Sequence, residues 1–266
     1  MITYNYQAGS VEQKREAAAK RDRILKLLQD NQLDGLVLNT QHNFAWATAG
    51  ANNWVSIAGD RGVASLVIKA DGSRYAVLDN LEQPRLEDEE QLKALGFQVI
   101  PAPWWEAGQR DKLLLDLARG GKKGQVGADT PLEGGQDVSH LINPARWSLL
   151  PDERARYRQV CQAAGDALES TCMDIVPGMS EWDVAGLLAQ SCFQRGLLPF
   201  VLLVASDERI FKYRHPIPTD KKVERYVMVV LCAKAGGLIA NATRLVHFGP
   251  VSPEIIQKYR ELLTVD

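Results

Sequence analysis

The stretch "YVMVVLC", Tyr226–Cys232, runs seven residues without a charge, and a strand so apolar belongs at the buried centre of a sheet. Gly236-Gly237 follows it, and a second strand-like run then carries Asn241, Thr243, Arg244 and His247. The pair reads as a hairpin whose polar side chains gather on the returning strand, a common way to position a ligand. His215 stands just upstream, yet between Glu224 and Glu254 there is no Asp or Glu. A site built on this hairpin has no carboxylate of its own.

The rest of the chain fits around such a sheet. "VEQKREAAAKRDRILKLLQDNQ" is a helix with Ile24, Leu25, Leu27 and Leu28 on an apolar side, "LDGLVLNT" a short buried strand, and "HNFAWATAG" a loop rich in amides and aromatics. "GVASLVIKADGSRYAVLD" is a hairpin turning at Asp71-Gly72. "NLEQPRLEDEEQLKALG" reads as helix, "FQVIPAPWW" as strand, "RDKLLLDLARGG" as helix and "QVGADT" as strand. These make an α/β domain with a mixed sheet that ends in the irregular run "PLEGGQDVSHLINPARWS". The second half opens on a long helix with Pro151 in its first turn, and Ser180 with Asp183 has the spacing of a capping box. The expected division is 1–148 and 149–266.

Composition narrows the partners. With 45% hydrophobic and 24% charged residues in 266, the chain is that of a soluble globular protein of one large domain or two. A net charge of −2 gives no basic field for nucleic acid. No apolar run approaches the roughly 20 residues that span a bilayer, and the first twenty residues lack a signal core, so a cytoplasmic location is expected. Cys161, Cys172, Cys192 and Cys232 include no CxxC and read as free thiols in a reducing compartment.

Four groups of residues carry a resemblance. They are "RILKLLQDNQLDGLVLNTQHNFAWATAG", "LLPDERARYRQVCQAAGDALE" followed by "VPGMSEWDVAGLLAQSCFQRG", then "PFVLLVAS", then His215 and a hairpin ending "NATR". In order and spacing these resemble the creatinase, aminopeptidase P and prolidase superfamily, the pita-bread metallopeptidase-like proteins. The resemblance implies an α/β (α+β) chain with a creatinase-type N-terminal mixed-sheet domain, followed by the first half of a pita-bread domain. It also implies a homodimer, and a dipeptide or other small molecule as substrate.

In metal-dependent members of that family, an Asp closes the first strand of this hairpin and a second Asp opens Asp-hydrophobe-Thr-Arg. Here "NATR" puts Asn241 at the second position. Counting back from Asn241 gives Val230 for the first, while counting forward from His215 gives Cys232; neither is a carboxylate. Hard divalent cations need several anionic oxygens, so no metal ligand and no cofactor is expected from these residues. His215 matches the histidine that, in metal-free creatinase, the family uses as general acid/base; it can equally be an exposed loop histidine.

Asn241, Thr243 and Arg244 are candidates to bind a substrate carboxylate, against a structural reading in which Arg244 pairs with an acid elsewhere. His247 shares their face only if no bulge intervenes. The resemblance places Asn43 and Trp46 on an N-terminal loop that approaches a neighbouring subunit's site; Trp54, Arg61 and the pair Trp104-Trp105 are weaker candidates. A metal-independent C–N hydrolase and a non-catalytic binding or regulatory module both fit. Half a pita-bread domain would leave a sheet edge and an apolar face uncovered, so either further chain beyond residue 266 or a partner is expected to cover them.

Overall fold

Ser10 begins the first helix, α1 (Val11–Asp30), where its hydroxyl accepts from the Gln13 amide. The computed structural model describes residues 1–121 and 124–265. These divide into two compact units, one of Tyr6–Arg156 and one of Tyr157 onward together with Met1–Asn5.

In the Tyr6–Arg156 unit, α1 is followed by β1 (Gly35–Thr40), α2 (Gln41–Ala47), β2 (Arg61–Lys69), β3 (Arg74–Asp79), α3 (Gln83–Asp88) and β4 (Gln98–Ala102). Then come α4 (Ala107–Arg119), β5 (Val126–Ala128), β6 (Gln136–Asp137) and α5 (Ser139–Trp147). The six strands form one mixed sheet in the order β4-β3-β2-β1-β5-β6. Period-two alternation sends Leu36, Leu38, Leu66, Ile68 and Leu78 to a core shared with Ala17, Ile24 and Leu28 of α1. Val37, Val67 and Val77 point the other way, to Leu114 and Ala118 of α4. Both sheet faces are thus covered, and each such side chain contributes about 1.5–3 kcal/mol. Gly35 is required where α4 meets β1, because a Cβ there would stand 2.6 Å from the Ala118 carbonyl oxygen.

Three segments differ from the sequence expectation. "HNFAWATAG" contains a helix, α2, because the Thr40 hydroxyl caps it. The expected single helix from Asn80 to Gly96 is a 3₁₀ turn at Asn80–Glu82 and the short α3, broken before Gln91, whose φ is 54°. The run "PLEGGQDVSHLINPARWS", irregular by its sequence, holds α5, which accommodates Pro144 inside it.

The second unit takes in the rest of α6 (Pro151–Asp174), then α7 (Glu181–Phe193), β7 (Leu198–Ser206), α8 (Glu208–Lys212), β8 (Tyr226–Ala235), β9 (Leu238–His247) and α9 (Pro253–Leu262). The capping box at α7 forms as its spacing suggests: Ser180 Oγ accepts from the Asp183 amide and Asp183 accepts from the Ser180 amide. β7, β8 and β9 make an antiparallel sheet in that order, with β8 central. The two-residue turn at Gly236 (φ 51°) and Gly237 (φ 73°) needs positive φ at both positions, which glycine supplies without strain. Val227, Val229, Leu231 and Ala233 of β8 are fully buried, as are Val160, Ala163, Ala167 and Leu168 of α6 and Val184 and Leu188 of α7. The two helices are tied through Ser170 and Ser191 (3.0 Å) and by Arg195, which donates to Asp166 (2.8 Å). The alternate residues of β8, from Tyr226 to Lys234, are only half-buried.

Candidate active site

The half-buried face of β8 carries the positions that the resemblance singles out. Register along the hairpin is continuous, pairing Cys232 with Asn241 and Val230 with Thr243. Residues directly opposite in an antiparallel pair share a face, so these four side chains form one patch, extended by Val201 and Leu203 of β7. Cys232 stands opposite Asn241 and Val230 diagonal to it, so both candidates for the first position face the second. The unbroken register also puts His247 on this side, though four residues beyond Thr243, about 13 Å along the strand. There it pairs with Tyr226, ring centroids 5.5 Å apart, and its Nδ1 lies 3.2 Å from the Gly249 carbonyl.

Arg244 faces away from this patch. It pairs with Val229 on the helix-covered side, where its guanidinium meets Glu169 of α6 at 3.2 Å and donates to the Thr243 carbonyl at 3.0 Å. Of the three residues grouped in the sequence, the structure brings Asn241 and Thr243 together and separates Arg244 from them. His215 lies in the connection from α8 to β8, exposed between Arg214 and the buried Pro216, with no side-chain hydrogen bond among the described residues.

In the other unit, Asn43 and Trp46 are buried side chains of α2. Both ends of the Asn43 amide are engaged: Nδ2 donates to Asp129 at 2.9 Å, and Oδ1 accepts from Arg146 at 3.0 Å. The Trp46 ring lies under the Lys20 ammonium, 5.6 Å from its centroid, and its Nε1 has no hydrogen-bond partner among the described residues. Trp54 bonds Asn52 at 3.1 Å and Arg61 pairs with Asp111 at 2.5 Å. Trp104 and Trp105 are exposed and meet edge to face at 6.0 Å.

The patch around Asn241 offers an amide, a hydroxyl, a thiol and a valine side chain. That donor set lacks the bridging carboxylates a pair of hard divalent cations needs, and so does not fit a dinuclear centre. Among the described residues no group of three or more His, Cys, Asp or Glu side chains is arranged to hold a metal ion. The thiols elsewhere are not activated: burial pushes Cys192 up to about 11 and raises Cys172. No helix among the described residues is long and apolar enough to cross a membrane.

Two carboxylates hold the chain around the connection that carries His215, and neither stands out in the sequence. Glu181 looks like an ordinary first-turn acid of α7, and Asp207 like a turn residue. Burial alone would raise the carboxyl of Glu181, but hydrogen bonds from Arg209, Thr219 and Ser206 hold it below the ordinary glutamate value. Asp207 is likewise held down, against burial, by the backbone amides of Arg225, Tyr226 and Glu224.

A mixed α/β unit joined to a helix-backed antiparallel hairpin sheet is the architecture of a known class of solved proteins. Prolidase from Pyrococcus horikoshii OT3 superposes with a TM-score of 0.71 at 19% identity, over 92% of this chain and 70% of its own. Xaa-Pro dipeptidase from Bacillus anthracis does so at 0.68 and 21% identity, over 93% and 69%. Dipeptidase PepE from Mycobacterium ulcerans gives 0.68 and 19%, over 93% and 68%. No curated protein sequence gives a significant match. Residues 155–265 match the model of metallopeptidase family M24. Residues 155–265 are thus similar in sequence to that family, and the chain shares the fold of these solved proteins over nearly its whole length.

Proposed function

We propose that the protein is a hydrolase of C–N bonds in small substrates, of the aminopeptidase P and creatinase type, that works without a dinuclear metal on its hairpin face. The observation that carries this reading is the patch of Val230, Cys232, Asn241 and Thr243, which stands where the resemblance expects carboxylate ligands and has none. His215 is the proposed general acid/base, since an exposed imidazole transfers protons near neutral pH without a metal. Asn241 and Thr243 are the proposed donors and acceptors for a polar substrate. Arg244, already paired with Glu169, supports them only if that exposed pair opens. A cytoplasmic homodimer acting on a dipeptide belongs to the same proposal.

The test is a panel of Xaa-Pro dipeptides and creatine-like amidines, assayed with and without chelator. Turnover is expected to survive chelation and to fall at least about 100-fold in His215→Ala, the range of a lost general acid/base. Turnover that chelation abolishes contradicts the proposal. A second reading, a binding or regulatory module without catalysis, is favoured by the engagement of Arg244. It predicts that no substrate is turned over while a small amide still binds, with Asn241→Ala weakening that binding.

A further inference from the structure

We infer that Glu181 is a positioning residue for His215, fixing through Arg209 the chain on both sides of that histidine. The inference rests on the reading of His215 as the proton-transfer group. Glu181 is the first residue of α7 and is fully buried. An acid at a helix start is ordinarily an exposed partner of the helix dipole. Here the amide ends of α7 are already served by Ser180 and Asp183, and the Glu181 carboxylate serves another part of the chain. One oxygen accepts from the Ser206 amide (2.7 Å) and hydroxyl (2.9 Å). The other accepts from the Thr219 amide (2.9 Å), the Thr219 hydroxyl (2.8 Å) and the Arg209 guanidinium.

Arg209 carries the constraint onward. Its second terminal nitrogen donates to the Ile217 carbonyl at 3.0 Å, and its guanidinium lies 5.5 Å from the centre of the Tyr213 ring. Tyr213 and Ile217 are two residues before and two after His215. Behind this clamp, Asp207 adopts φ 49° and ψ −121°, a strained conformation for a residue other than glycine. Its carboxylate holds the amides of Glu224, Arg225 and Tyr226 at 2.9–3.1 Å, which fixes where β8 begins. The connection is therefore tied at its start, middle and end, while the His215 ring is left exposed. A loop of such length with no task would not need a buried carboxylate satisfied by five donors.

The test combines hydrogen exchange, the imidazole NMR signal of His215 and turnover in Glu181→Gln. Amide exchange over 213–219 is expected to rise at least tenfold and the His215 ring resonance to broaden, with exchange in the 227–233 strand unchanged. Arg209→Met, which leaves Ser206 and Thr219 on Glu181, is expected to give the same loosening over 213–217, and it covers the case in which Glu181→Gln fails to fold. Unchanged exchange over 213–217 in Arg209→Met overturns the inference; so does loosening that spreads equally into 227–233. If both variants loosen the segment while His215→Ala leaves turnover intact, the clamp stands and the catalytic reading of His215 falls.

Discussion

Lys20→Met is expected to destabilise the Tyr6–Arg156 unit by about 3–5 kcal/mol, the range for stripping one partner from a buried ion pair. The Lys20 ammonium is wholly buried and donates to Glu16 at 2.6 Å and Glu153 at 2.7 Å, both carboxylates themselves nearly inaccessible. Burial pulls the Lys20 ammonium below its ordinary value, against the upward pull of those two acids. Removing it strands two negative charges in an apolar setting, with Arg156 left to serve Glu16 at 2.6 Å. Urea denaturation measures the loss, followed by the fluorescence of Trp46, whose ring Lys20 overlies. The deficit is expected to shrink as pH falls, because protonating the stranded carboxylates removes the charge that is costly to bury. A loss under 1 kcal/mol would show that water reaches the network and screens it.

Asp129→Ala is the second large effect, expected at about 3–4 kcal/mol from several donors left unsatisfied together. One Asp129 oxygen accepts from the Asn39 amide at 2.7 Å. The other accepts from the Thr40 amide (3.0 Å), the Thr40 hydroxyl (2.6 Å) and Asn43 Nδ2 (2.9 Å). This carboxylate thus joins the end of β1 to the first turn of α2 and orients the Thr40 cap. Its removal is expected to fray α2, seen as faster amide exchange over 41–47, while exchange in β2 and β3 changes far less. Equal loosening of the whole sheet would mean that Asp129 acts on global stability and not on the local corner.

Both clusters are built from residues far apart in the chain, which no local pattern reveals. The apolar runs of β1 and β8 and the Ser180–Asp183 cap are local patterns and legible as such, whereas the sheet order β4-β3-β2-β1-β5-β6 is set by the fold. Asp129 acts on residues some 90 positions away in the chain, so "HNFAWATAG" gave no local sign of the helix that it supports. Glu181, at the start of a well-patterned helix, has the same appearance as any solvated first-turn acid. Its partners Ser206, Arg209 and Thr219 are brought to it only by the fold. Strand alternation did settle one point that spacing had left open. With no bulge in β9, Asn241, Thr243 and His247 share a face, and Arg244 lies on the other.

Titration calorimetry of the chain with Mn²⁺ tests the proposal that the hairpin face, with Asn241 opposite Cys232, holds no metal pair. No saturable binding is expected, and unchanged heats in Asn241→Ala and Cys232→Ala. Stoichiometric binding that either substitution abolishes would contradict it.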